Sequence, residues 1–138
     1  MGTKGLKFIK LAPDDAQFVD PWYKARGEEG APMPELAPYD RFFGVLHEGQ
    51  LVACAFLIET NTRAAMVEYV MTDDRAPVLV QSRALMFIID EMMLLAKYLG
   101  YSYVLGLVGE DHESLAKYYI RNQAVQGSKK MKVFYKHT

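Results

Sequence analysis

The spacing of apolar positions along the chain changes several times, and each change marks a new element. Leu6 and Phe8 alternate with Lys7 and Lys10, which predicts an opening strand over Leu6–Leu11. Pro13-Asp14-Asp15 suits a first helical turn, with proline early and acids facing the helix dipole. That helix is expected to bury Ala16, Phe18 and Val19 and to end or kink at Pro21. Arg26–Pro38 is rich in Gly, Pro and Glu without periodicity and reads as a loop of functional length. Arg41–Leu46 and Leu51–Glu59 flank His47-Glu48-Gly49-Gln50, a hairpin signal, and Asn61-Thr62-Arg63 turns into a third strand, Ala64–Thr72. These three strands form an antiparallel meander.

Beyond the meander the period lengthens. Leu85, Ile88, Ile89, Met92, Leu95, Ala96 and Leu99 recur at helical spacing, predicting a helix from about Ser82 to Leu99 that stops at Gly100. A strand over Tyr101–Val108 follows, then a short helix holding Tyr118-Tyr119, a polar connection and a closing strand over Met131–Tyr135. Strand, long helix and strand in that order make a βαβ crossover. The expected fold is mixed α/β (α+β): a mostly antiparallel sheet with one crossover, helices on both faces, and a single domain over residues 1–138.

Composition narrows the function. At 138 residues, 51% hydrophobic and 24% charged, the chain resembles an ordinary globular domain. Net charge is −1, and the densest basic cluster is Lys129-Lys130 with Lys132, too sparse to track a phosphate backbone, so nucleic acid is not expected as a partner. The segment Met1-Gly2-Thr3-Lys4-Gly5 carries no leader-like apolar core, and Asp90 and Glu91 interrupt the longest greasy stretch, so no membrane partner is expected. The lone Cys54, within an apolar strand, reads as a buried thiol, and a reducing cytoplasm is the expected compartment. His47, His112 and His137 have no metal-ligand spacing, and neither a Walker loop nor a nucleophile elbow occurs.

Three groups of residues carry candidate chemistry. Glu68 is the one carboxylate in Ala64–Thr72. Its apolar neighbours Val67, Tyr69 and Val70 favour a carboxyl group that takes up a proton, though alternation also permits a merely exposed acid. Gln81-Ser82-Arg83-Ala84 opens the long helix, where a hydroxyl and a guanidinium can meet a phosphate. The bland alternative makes Ser82 an N-cap and Arg83 a solvated residue. Tyr119 offers a phenol near a thiol in acidity, or else packs beside Tyr118.

From Leu6 to its C-terminus the chain resembles the GNAT superfamily of N-acetyltransferases. Members share the meander, a strand whose amides pair with pantetheine, a Gln/Arg-x-x-Gly-x-Gly/Ala loop, the long helix, and a late helix of the form Asn-x-x-Ala-x-x-x-Tyr followed by Leu-Gly-Phe. Aligned on that loop, Gln81 takes the first position, Ala84 the first glycine and Met86 the second; in the late helix Tyr119 matches while the Asn and Gly-Phe positions do not. The resemblance implies acetyl-CoA as co-substrate, no metal, and transfer of an acetyl group to an amine on a small molecule or a protein. It further implies Glu68 as base, strand amides near Val70 and Thr72 on pantetheine and the carbonyl, Gln81, Ser82, Arg83 and Ala84 around the phosphates, and Tyr119 as acid. The acceptor would enter between Arg26–Pro38 and the Leu46–Leu51 hairpin. Homodimerisation is left open. Small phage-encoded proteins with a GNAT-like fold, some of them virion components, share the eroded loop and give a second reading: a catalytically silent binding or assembly protein.

Overall fold

The computed structural model of the chain describes residues 5–28, 30–32, 36–106 and 117. Every element below belongs to one compact unit that ends at Gly106; of Leu107–Thr138 only Lys117 is described. The expected helix with Tyr118 and Tyr119, and the expected strand Met131–Tyr135, lie outside the described residues.

Strands β1 (Leu6–Lys10), β2 (Phe42–His47), β3 (Gln50–Ile58) and β4 (Ala64–Thr72) pair antiparallel in chain order, and β5 (Tyr103–Leu105) joins β4 in parallel. Helix α1 (Ala16–Ala25) follows β1, and α2 (Val78–Tyr98) forms the crossover from β4 to β5. The β2–β3 turn places Glu48 at φ 51° and Gly49 at φ 83°, both left-handed as a two-residue hairpin requires.

Two cores flank the sheet. On one face Val19, Trp22 and Tyr23 of α1 pack with Phe42, Cys54 and Phe56. Phe42 and Phe56 stack at 4.3 Å, and Tyr39 meets both edge-on. The alternate strand positions Val45, Ala53, Ala55 and Leu57 are also buried, facing Ala84, Ile88, Ile89, Met92 and Ala96 of α2. Among the described residues no helix is long and apolar enough to cross a membrane.

Several boundaries differ from those expected. Helix α1 continues through Pro21, because Trp22 and Tyr23 are anchored in the core, while exposed Gln17 can give its unbonded carbonyl to water. The buried stripe is Val19, Trp22, Tyr23, and Phe18 falls off it at 57% exposure. Helix α2 begins at Val78, four residues before the expected Ser82. Pro77 precedes its first turn, where a missing N–H costs nothing, and Gln81 N–H closes on the Pro77 carbonyl at 3.0 Å. At the other end Gly100, at φ 97°, bonds Lys97, and Tyr101 N–H returns to the Ala96 carbonyl. That closure occupies Tyr101, so β5 pairs only from Tyr103.

Gly44 lies where β1, β2 and β3 crowd together. A Cβ there would stand 3.2 Å from the Ala53 carbonyl oxygen and under 3 Å from the ends of Leu51 and Leu11. Gly44→Ala should therefore destabilise the fold by about 1–3 kcal/mol through overpacking, read as a lower denaturant midpoint at unchanged slope.

Candidate functional site

The site is organised by an irregularity in β4. Cys54 pairs with Met71 and Phe56 with Glu68, so Ala55 alone on β3 faces Tyr69 and Val70 on β4. This is a β-bulge, and Tyr69 carries it at φ 55°, a left-handed conformation that a bulky residue adopts only when its surroundings force it. Tyr23 supplies part of that force: its hydroxyl donates to the Tyr69 carbonyl at 2.5 Å and lies 3.4 Å from Cys54 Sγ. The Tyr69 ring meets Phe56 edge-on at 5.8 Å.

Glu68 is half-buried opposite Phe56, which puts it on the α1 face immediately before the bulge. Burial, then the Glu68 charge, raises the Tyr69 phenol above its ordinary value. Burial likewise raises the Tyr23 phenol well above 10 and pushes the Cys54 thiol up to about 12, so both stay protonated. Cys54 is fully buried and inert, as an apolar strand position implies.

Val70 and Thr72 follow the bulge. The described part of β5 reaches only Met66 of β4, so Val67–Thr72 has no described parallel neighbour. Thr72 is a junction. Arg26, at the end of α1, donates to its hydroxyl at 3.2 Å and to the Trp22 carbonyl at 3.3 Å. The Thr72 hydroxyl donates to Gln81 Oε1 at 3.1 Å, and Gln81 Nε2 donates to the Ala76 carbonyl at 2.7 Å. Gln81 thus stitches together the 73–77 loop.

The earlier start of α2 relocates the remaining candidates. Ser82 is exposed within the helix and is not its N-cap; Arg83 is half-buried; Ala84 is fully buried against the sheet. The helix start instead presents the N–H groups of Val78, Leu79 and Val80, which lie ahead of the first intrahelical bond. In the loop before it, Asp73 is held below the usual carboxylate range: burial works against this, but Arg75 outweighs it through its backbone N–H at 3.0 Å and guanidinium at 3.1 Å.

Of the two walls expected to frame an acceptor entrance, the hairpin and the 36–38 end of the loop each line a cleft. The hairpin faces the 73–77 loop across a groove of about 930 Å³ that also takes in Phe18 and Trp22, whereas Leu36, Ala37 and Pro38 line a separate cleft of about 380 Å³ with Asp40, Arg41 and Glu59. Tyr119 lies outside the described residues. Among the described residues no group of His, Cys, Asp and Glu could hold a metal ion. Sequence reasoning missed Tyr23, Arg26 and the left-handed Tyr69. Only the adjacent aromatics Trp22-Tyr23 could have hinted at a core-facing turn of α1.

No family model and no curated protein matches the chain. Solved structures do. An aminoglycoside acetyltransferase from an uncultured soil metagenomic sample, solved with trehalose, superposes with a TM-score of 0.68 at 15% identity over 99% of this chain and 100% of that one. N-acetylglutamate synthase from Neisseria gonorrhoeae, solved with coenzyme A and N-acetyl-glutamate, gives 0.60 at 18% identity over 81% of this chain and 27% of that one. A transcriptional regulator from Bacillus halodurans gives 0.68 at 13% identity over 94% and 99%. At these identities the likeness concerns the fold alone, and the chain has a GNAT-like fold: among the described residues, a five-stranded, mostly antiparallel mixed sheet between helices.

Proposed function

We propose that this chain is an acyl-CoA-dependent N-acyltransferase that moves an acetyl group from acetyl-CoA to an amine, carried by a small molecule or a protein. The observation that carries this reading is a half-buried carboxylate, Glu68, directly beside the left-handed bulge of β4. A carboxylate there can take a proton while a neighbouring backbone N–H, turned out of the ladder, holds a carbonyl oxygen.

In this reading the amine nitrogen attacks the thioester carbonyl, a C–N bond forms and the C–S bond breaks. Glu68 accepts the ammonium proton, directly or through water. The Val70 N–H holds the carbonyl oxygen, Thr72 aligns pantetheine through its backbone, and Tyr119 protonates the departing thiolate. The start of α2 suits a pyrophosphate better than Ser82 does, since its N–H groups and dipole point at an anion. Arg83 lies one turn further on, and Gln81 and Ala84 act by shaping the helix start.

One observation favours the second reading, a silent binding or assembly protein such as a virion component. Asp73 and Asp74 stand in the loop before α2, two acids against the one guanidinium of Arg75, so the loop is less welcoming to a diphosphate than a glycine turn. Thermal denaturation with acetyl-CoA separates the two. At about a hundred times its dissociation constant the ligand should stabilise the fold by roughly 2.7 kcal/mol, a melting shift of roughly 8 °C. Arg83→Ala should shrink the shift, and equal shifts would remove Arg83 from the phosphate site. No shift, together with no thiol release across a broad amine panel, would sink the acyltransferase.

A further inference from the structure

We infer that Tyr23 is a positioning residue, a strap from α1 that holds the β4 bulge and through it the direction of the Val70 N–H and of Glu68; this rests on the acyltransfer reading of that bulge. Tyr23 is 3% exposed and its ring is packed between α1 and the sheet, so its hydroxyl has little freedom. Its single proton goes to the Tyr69 carbonyl at 2.5 Å, which leaves the Cys54 thiol, 3.4 Å away, as the donor to the tyrosine oxygen. The result is a buried relay, Cys54 S–H to Tyr23 O–H to the Tyr69 carbonyl.

The relay grips an atom that matters. In the left-handed conformation the peptide joining Tyr69 to Val70 is rotated out of the β4–β3 ladder, and that one planar unit carries the Tyr69 carbonyl on one side and the Val70 N–H on the other. A bulky residue reverts to extended backbone unless its neighbours oppose that, and a two-residue bulge on a strand that should read as regular is easily lost. Tyr23 reaches the rotated carbonyl from outside the sheet. The same α1 turn, through Arg26, also grips Thr72 at the end of β4, so α1 holds the strand at two points around Val70.

The test is amide hydrogen exchange on the full chain, which reads the bulge without requiring activity. Tyr23→Phe keeps the ring and removes the bond. Exchange at Glu68, Met71 and Thr72, the paired β4 residues that flank the bulge, should quicken by about tenfold or more, with Phe43 and Val45 of β2 changing by less than about threefold. Acetyl-CoA turnover should lose about tenfold in kcat with KM for acetyl-CoA within about twofold. Cys54→Ala leaves the bond to Tyr69 intact, so exchange at Glu68 should stay near wild type, while Met71, whose backbone also bonds the Cys54 side chain, is left out of that comparison. Unchanged exchange at the bulge, or quickening spread equally over the sheet, overturns the strap. Altered exchange with unchanged kcat overturns its positioning role. If Tyr23→Phe does not fold, the double variant with Tyr69→Gly should, because glycine takes φ 55° without strain; a double variant that is also unfolded overturns the proposal. A wild-type chain that releases no thiol ends the acyltransfer reading instead, and exchange alone then judges the strap.

Discussion

Phe56→Ala should cost the fold about 3–5 kcal/mol and lower its melting point by roughly 10–17 °C. Phe56 is fully buried, stacked on Phe42 and edge-on to Tyr39 and Tyr69. Truncation removes the transfer free energy of the ring and leaves a cavity between α1 and the sheet. Rigid strands on either side cannot collapse into that space. The Tyr69 ring also loses its partner at the bulge, so the variant should lose more than a leucine of similar burial would. Differential scanning calorimetry with a Phe56→Leu control checks it: the leucine variant should recover more than half the loss. A melting point within about 3 °C of wild type would mean that this core is far more adaptable than its packing implies.

How much of this was legible in the residues varies from element to element. The bounds of β4 were readable to within a residue because turn residues stop it at Arg63 and Asp73 and mostly apolar positions fill it between. The buried stripe of α2 was readable because Ile88, Ile89, Met92 and Ala96 recur at helical period. Its start was not. Val78-Leu79-Val80 is an apolar run with two β-branched valines, which suggests a strand or loop, and only Pro77 hints that a helix begins there. That error carried into the site, since a motif laid on Gln81–Met86 as a loop falls within the first three turns of α2. The bulge left no trace at all, because Tyr69 is a poor left-handed residue and tertiary contacts, including the hydroxyl of Tyr23 forty-six residues away, hold it there. Arg26 belongs to the same class, for nothing in a C-cap arginine foretells a bond to a distant threonine. Periodicity reports burial, whereas the site is made by a departure from it.

Glu68→Gln should leave acetyl-CoA binding in place and lower amine-dependent thiol release by about tenfold to a thousandfold, the range for one proton-transfer group at roughly 1.4–4 kcal/mol of barrier. Glutamine keeps the shape of the side chain opposite Phe56, so folding should be little changed, and the thermal shift with acetyl-CoA should match wild type. The amide cannot take a proton, so the rate that remains should lose the acid limb that a titrating carboxylate gives the wild-type pH profile. Tyr119→Phe should cut kcat at constant binding too, since it removes only the proton destined for the thiolate. The two losses should not simply add if base and acid act in one transition state, and a double variant measures that coupling. Stopped-flow thiol detection with saturating acetyl-CoA is the measurement. A Glu68→Gln variant with wild-type kcat and an intact acid limb would take the carboxylate out of the chemistry, leaving the bulge as a binding feature alone.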